Sequence, residues 1–213
     1  MSTSTYRENN PPLTLPGFVH ISRYWDKQNE IYSAKILPGQ YYVTNNNESI
    51  VTVLGSCISA CIRDTKAGIG GMNHFMLPIT EEEFSGRNVR LSGAARYGNY
   101  AMEMLINDIL KNGGDRNNLE VKIFGGGKII ANMTDVGERN IEFAASYLRS
   151  EGLNPIASDI GNVFPRKVYY FPQTGKVRVK RLRSLHNNTI IEREKNYMND
   201  INTKPVSGEI DLF

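Results

Sequence analysis

Cys57 and His74 are the two residues of this sequence whose side chains could carry out a reaction together. A thiol attacks a carbonyl carbon once a base has taken its proton, and an imidazole within hydrogen-bond reach serves as that base. Their spacing predicts that they meet. Ile58, Ala60 and Ile62 alternate with Cys57, Ser59 and Cys61, Asp64-Thr65-Lys66-Ala67-Gly68 supplies turn chemistry, and Ile69–Leu77 resumes an extended pattern. A hairpin folded about the midpoint of positions 57 and 74 sets the two residues directly opposite each other, with Cβ atoms roughly 4.5–5.5 Å apart. A neighbouring imidazole lowers a thiol pKa from about 8.5 toward roughly 3.5–7.5, which predicts a thiolate–imidazolium pair near neutral pH. Given a primary carboxamide, such a pair would expel ammonia, form a thioester and hydrolyse it with water.

Other readings of the same residues stay open. A Cys on a strand is often a small core hydrophobe, and a lone His is often a satisfied structural residue. Cys57, Cys61 and His74 are also possible zinc ligands, although Cys-x3-Cys is a poor spacing for a structural site and no fourth ligand is evident. Ser59 and Cys61 lie about 7 and 13 Å along the strand from Cys57 and read as packing residues. The N–H groups of Gly55 and Ser56 stand beside the nucleophile, where they could hold an oxyanion. Gly125-Gly126-Gly127-Lys128 could cradle a phosphate, but it lacks the full nucleotide motif and reads better as a tight turn allowing close backbone approach. Arg166, Lys167, Arg178, Lys180, Arg181 and Arg183 form a basic set, read as a solvated face in preference to a contact for acidic helices.

The elements that must position this pair follow from hydrophobic patterning. Ser49–Leu54, Ile58–Arg63, Ile69–Leu77, Leu119–Phe124, Lys167–Phe171 and Lys176–Leu182 are short, rich in Val and Ile, and bounded by turn residues, so they predict strands. Ala94–Leu110 carries Tyr97, Ala101, Leu105 and Ile109 at four-residue steps, and Gly137–Arg149 carries Ile141, Ala145 and Leu148; both predict amphipathic helices. The fold class is α+β, a layered α/β sandwich of mainly antiparallel strands with helices packed on the outside. Residues 1–30 read as a peripheral N-terminal extension with one short element around Phe18–Trp25, residues 31–183 as the enzyme domain, and residues 184–213 as a loosely packed C-terminal tail. With 213 residues, 25 Lys plus Arg against 22 Asp plus Glu and a formal charge of +3, the composition gives no case for nucleic acid. No stretch is apolar enough to cross a bilayer, no secretory signal opens the sequence, and the two thiols are too far apart along a strand to bridge; a reducing, cytoplasmic setting is expected.

Leu54-Gly55-Ser56-Cys57, followed by Gly68-Ile69-Gly70-Gly71-Met72-Asn73-His74-Phe75-Met76-Leu77-Pro78, resembles the signature of the CheD family of chemoreceptor glutamine deamidases. Arg96-Tyr97-Gly98, Ala101-Met102-Glu103, Lys122-Ile123-Phe124-Gly125-Gly126-Gly127, Gly137-Glu138-Arg139-Asn140, Asp159-Ile160-Gly161 and Thr174-Gly175-Lys176-Val177 continue the resemblance in order. It implies hydrolytic deamidation of glutamine side chains on the cytoplasmic helices of chemoreceptors, with Cys57 as nucleophile, His74 as base and no cofactor or metal. The family's Thr that orients the His falls on Thr52, with Val51 in the ungapped register; no role is carried onto Asp159. The resemblance also implies a possible partner in a chemotaxis phosphatase of the CheC type. The alternative from another class is a non-catalytic regulatory module that docks on receptors or on that phosphatase, and a general cysteine peptidase is the weaker third.

Overall fold

The computed structural model describes residues 11–78, 93–129, 136–182 and 187–203. The described residues form ten strands: β1 Ser22–Asp26, β2 Ile31–Lys35, β3 Tyr41–Thr44, β4 Glu48–Leu54, β5 Ile58–Asp64, β6 Gly70–Asn73, β7 Leu119–Gly125, β8 Pro155–Ile160, β9 Arg166–Phe171 and β10 Lys176–Arg181. Three helices accompany them among the described residues: α1 Gly93–Lys111, α2 Val136–Ser150 and α3 Asn187–Thr203. The strands make two five-stranded sheets, ordered β1-β2-β4-β9-β10 and β3-β6-β5-β7-β8. Pairing is antiparallel except for β2 with β4 and β7 with β8. Helices α1 and α2 lie against the second sheet, α1 on β3, β5 and β6 and α2 on β5. The α+β sandwich expected from the patterning is therefore present, and the predicted strands and helices fall within a few residues of the observed ones.

Burial explains which segments form these layers. β4 and β5 alternate only weakly because both faces of each are covered; of their fourteen residues only Val53 and Arg63 are not fully buried. One contiguous cluster joins Ile50 and Leu54 of β4, Ile58 and Ile62 of β5, Leu105 and Ile109 of α1 and Leu148 of α2. The chain passes from the first sheet to the second between β4 and β5, so residues 55–57 sit on the seam between them.

Two expectations about the ends are corrected. Residues before 31 are not peripheral: Phe18 and Ile21 are buried in the core. Phe18 meets Tyr41 and Tyr42 edge-on. On β1, Arg23 pairs with buried Glu48 at 2.9 Å and donates to the Pro12 carbonyl. The segment after 184 is not a loose tail either, since α3 buries Ile190, Glu194 and Met198. Both segments were obscured because their apolar residues are few and separated, so no periodic run announces them. Residues 1–10, 183–186 and 204–213, and with them Arg183, lie outside the described residues.

Glu48 also accepts hydrogen bonds from Tyr42 at 2.7 Å and Thr44 at 2.5 Å, so one carboxylate ties β1, β3 and β4 together. Replacing it leaves a buried guanidinium unpaired. Glu48→Ala is expected to lower unfolding free energy by about 3–5 kcal/mol, read as a lower denaturant midpoint at unchanged slope.

Candidate active site

The hairpin carrying Cys57 and His74 forms, with a register two residues away from the expected one. Cys61 pairs with Met72, Ile62 with Gly71 and Arg63 with Gly70, and an isolated bridge joins Ile58 to Phe75. In that constant register His74 faces Ser59, and Cys57 is its diagonal neighbour on the same side of the pleat. The shift comes from the turn. Asp64 still belongs to β5, its side chain accepting from the N–H groups of Lys66 and Ala67, and Gly68 takes the positive φ of 68°. β6 is also shorter than predicted, because the Asn73 carboxamide rather than a backbone carbonyl takes the Ala60 N–H, at 2.8 Å. His74 then bonds through its own backbone to Gly39 and Gln40.

The chemistry-bearing atoms nonetheless meet. The Cys57 sulfur, a His74 ring nitrogen and a Glu194 carboxylate oxygen lie within 4.8 Å of one another, all three residues being buried. Thr52 stands on β4, with its hydroxyl 2.7 Å from His74 Nδ1 and 2.9 Å from the Ile36 carbonyl. A hydroxyl has one proton, which the carbonyl must receive, so its oxygen accepts from Nδ1–H. That assignment fixes the tautomer and leaves the lone pair on Nε2, which has no hydrogen-bond partner. A cleft of about 480 Å³ opens beside His74 and Thr52, with Lys167 and Arg193 among its walls.

Around Cys57 the backbone is held from both sides. The Gly126 N–H donates to the Cys57 carbonyl and the Gly127 N–H to the Gly55 carbonyl, each at 2.7 Å. Asn140 Nδ2 donates to the Ser56 carbonyl, and its Oδ1 accepts from Leu77 N–H, both at 2.8 Å. One buried carboxamide on α2 thus ties the loop of Cys57 to the segment of His74. The glycine run is a close-approach turn: a Cβ on Gly125 would stand 2.2 Å from the Cys57 carbonyl oxygen. Its successive N–H groups are already engaged, which leaves no phosphate cradle. Arg166 supports it from below, fully buried and donating to the Gly125 carbonyl at 2.5 Å and the Gly161 carbonyl at 2.6 Å. It is therefore not part of a solvated basic face, whereas Lys180 and Arg181 are exposed. Asp159 pairs with Arg166 and Arg181.

With the carbonyls of residues 55–57 tied back, their N–H groups converge on Glu194. Gly55 N–H and Cys57 N–H reach Oε1 at 2.8 and 3.3 Å, and Ser56 N–H and Oγ reach Oε2 at 2.8 and 2.6 Å. Consecutive amides aimed at one point form an anion-binding nest. The same three side chains would also offer donors to a metal, but the amide dipoles here favour negative charge, and both carboxylate oxygens are already engaged by them. Cys61, considered as a zinc ligand from spacing, is outside this group.

The electrostatics are those of a closed site. Burial pushes the Cys57 thiol up, and the adjacent Glu194 carboxylate adds to it. Burial lowers His74 to about 3, with Arg193 contributing. The pair accordingly rests as neutral thiol and neutral imidazole, not as the ion pair expected from adjacency alone.

The family model described as "CheD chemotactic sensory transduction" matches residues 76–181. A protein of Halorhodospira halophila named "Probable chemoreceptor glutamine deamidase CheD" is 56% identical over 203 residues, covering 95% of this chain and 94% of that protein. The chain belongs to the CheD family. A Hahella chejuensis relative of the same name is 52% identical over the full length of both chains, and one of Methylobacillus flagellatus is 53% identical over 192 residues, 89% of this chain and 94% of that one. Among the described residues of this family member, no helix is long and apolar enough to cross a membrane.

Asn140, Asn73 and Glu194 were not singled out from sequence. Asn140 and Asn73 fall inside family motifs, but nothing in their spacing shows that their amides bond backbone. Glu194 gave no signal in a polar segment.

A neutral buried imidazole carries a pH signature. His74 binds a proton in the unfolded chain near 6.5 but in the folded chain only near 3, so its stabilising contribution is complete above about 6.5 and is lost as pH falls toward 3. Between those values the parent should lose up to about 1.4 kcal/mol of stability per pH unit more than a His74→Gln variant does, measured by urea unfolding across pH.

Proposed function

We propose that this chain is a cytoplasmic protein-glutamine deamidase of chemoreceptors, with Cys57 as nucleophile, His74 as general base and Thr52 as the residue that orients His74. The observation that carries the reading is the set of N–H groups at 55–57 gathered around a side-chain carboxylate beside a thiol and a free imidazole nitrogen. That is the environment a glutamine amide needs on its way to glutamate. The names of the relatives point to the same substrate.

The steps follow from the assigned tautomer. His74 Nε2 takes the thiol proton as sulfur attacks the carboxamide carbon, and the oxygen, now negative, takes the N–H bonds of residues 55–57. Collapse breaks the carbon–nitrogen bond, with the imidazolium protonating the amide nitrogen so that it leaves as ammonia and a thioester remains on Cys57. Water then attacks with its proton passing to Nε2, and the thiolate leaves and recovers that proton. The net change is amide plus water to carboxylate plus ammonium. Each N–H donor is worth about 10²–10³ in rate, which makes this loop as important as the base.

Residues 31–183 hold the reacting groups, and the substrate is a receptor helix with an exposed glutamine. A regulatory module that docks without turnover, on receptors or on a chemotaxis phosphatase of the CheC type, is the second reading, favoured by the burial of the thiol. Mass spectrometry of a receptor cytoplasmic fragment incubated with the chain separates the two by the amide-to-acid mass gain. Cys57→Ala is expected to reduce conversion by about 10⁶ and His74→Ala by about 10²–10⁴, with Thr52→Val losing less and all three remaining folded. Receptor binding without any mass gain would leave the docking module and reject the enzyme.

A further inference from the structure

Helix α3 presents Ile190, Glu194, Tyr197 and Met198 inward at helical spacing, with Glu192, Lys195 and Asn196 exposed. On this otherwise apolar face one carboxylate is driven to 2% exposure. A helix that merely packs would place an apolar residue there, because a buried carboxylate costs several kcal/mol unless donors await it. They do await it, as the backbone amides next to the candidate nucleophile. The fit is tight: a Cβ on Gly55 would stand 2.8 Å from both Glu194 oxygens. Elsewhere α3 touches the elements that hold the site. The Tyr197 hydroxyl bonds that of Tyr97 on α1. Its ring lies over Gly39, where a Cβ would come within 3.0 Å of it, and Gly39 donates to the His74 carbonyl.

We propose that α3 is a tethered product mimic: Glu194 occupies the place of the newly formed glutamate, and α3 covers the surface on which a substrate helix docks, so that α3 must leave before a receptor glutamine enters. The identity of what Glu194 imitates rests on the deamidase reading; the covering of Cys57 rests on geometry alone. The partner implied is a helix with a single carboxamide amid an apolar stripe, competing with α3 for one groove. The neutral thiol accords with this occupancy, since burial and the carboxylate both disfavour a thiolate there, and Arg193 of the same helix adds to the burial that keeps His74 neutral.

The test uses the full chain. Cys57 alkylation by iodoacetamide is followed by peptide mass spectrometry in the parent, in Glu194→Ala and in Met198→Asp, which loosens α3 away from the reacting groups; buried Cys61 is the internal control. Both variants should label at Cys57 roughly tenfold faster or more, with Cys61 unlabelled, and both should convert a receptor fragment faster than the parent. In Glu194→Gln, the introduced amide should itself be hydrolysed to the acid, and should persist when Cys57→Ala is added. Equal Cys57 labelling in the parent and both variants would overturn the proposal, as would an introduced amide that survives while receptor glutamines are converted. Faster labelling with no conversion of any amide would sustain the occupancy by α3 and reject the deamidase reading instead.

Discussion

Everything at this site depends on where three consecutive peptide groups point. Between β4 and β5 the chain leaves one sheet for the other, and the carbonyls of Gly55, Ser56 and Cys57 are each claimed by a donor outside the loop, from Gly127, Asn140 and Gly126. Their N–H groups are left facing one volume, which holds a carboxylate. A polar backbone segment at a seam between sheets has to satisfy its groups somewhere. Here the satisfaction is arranged so that negative charge is welcome beside a thiol.

The imidazole is organised by the same principle from the opposite side. Thr52 reaches it from the first sheet while the His74 backbone is fixed by the Gly39–Gln40 turn, and the Thr hydroxyl donates its single O–H to the Ile36 carbonyl. One hydroxyl thereby decides which ring nitrogen is a base. Thr52, Cys57 and His74 are near one another in sequence but stand on β4, on the crossing from β4 to β5 and just after β6, so tertiary pairing and not chain proximity sets their geometry. The fold brings them into contact because the crossing from β4 to β5 puts the thiol between the strand of Thr52 and the strand preceding His74.

Much of this was legible in the residues. Strands β4, β5, β6, β7, β9 and β10 followed from Val- and Ile-rich runs and α1 and α2 from apolar steps of three and four residues, whereas β2, β3 and β8 fall outside the predicted strands; Cys57 and His74 were paired by alternation through a recognisable turn. The register was missed by two because alternation fixes the face of a residue and not its partner; only the turn geometry at Asp64 and Gly68 does that. Since the side-chain period is two, the error preserved the face and hence the meeting of sulfur and ring. The N-terminal strand overlaps the short element expected around Phe18–Trp25, but its burial in the core, and α3 altogether, were hidden for another reason. Their anchors, Phe18, Ile21, Ile190 and Met198, are sparse, and their polar contacts, Arg23 with Glu48 and Glu194 with the amides, depend on tertiary partners that composition does not reveal. Adjacency of thiol and imidazole was likewise insufficient to fix their charge, because burial outweighs the attraction between them.

The central claim, that the amides of residues 55–57 are the seat of the reacting side chain, is most directly tested by a ¹H–¹⁵N spectrum of the full-length chain. In Glu194→Ala, the Gly55, Ser56 and Cys57 amide resonances should move from their parent positions and exchange faster with solvent, and a receptor-helix peptide bearing the glutamate product should return them. Amides that ignore both the loss of Glu194 and the arrival of the product peptide would contradict the account.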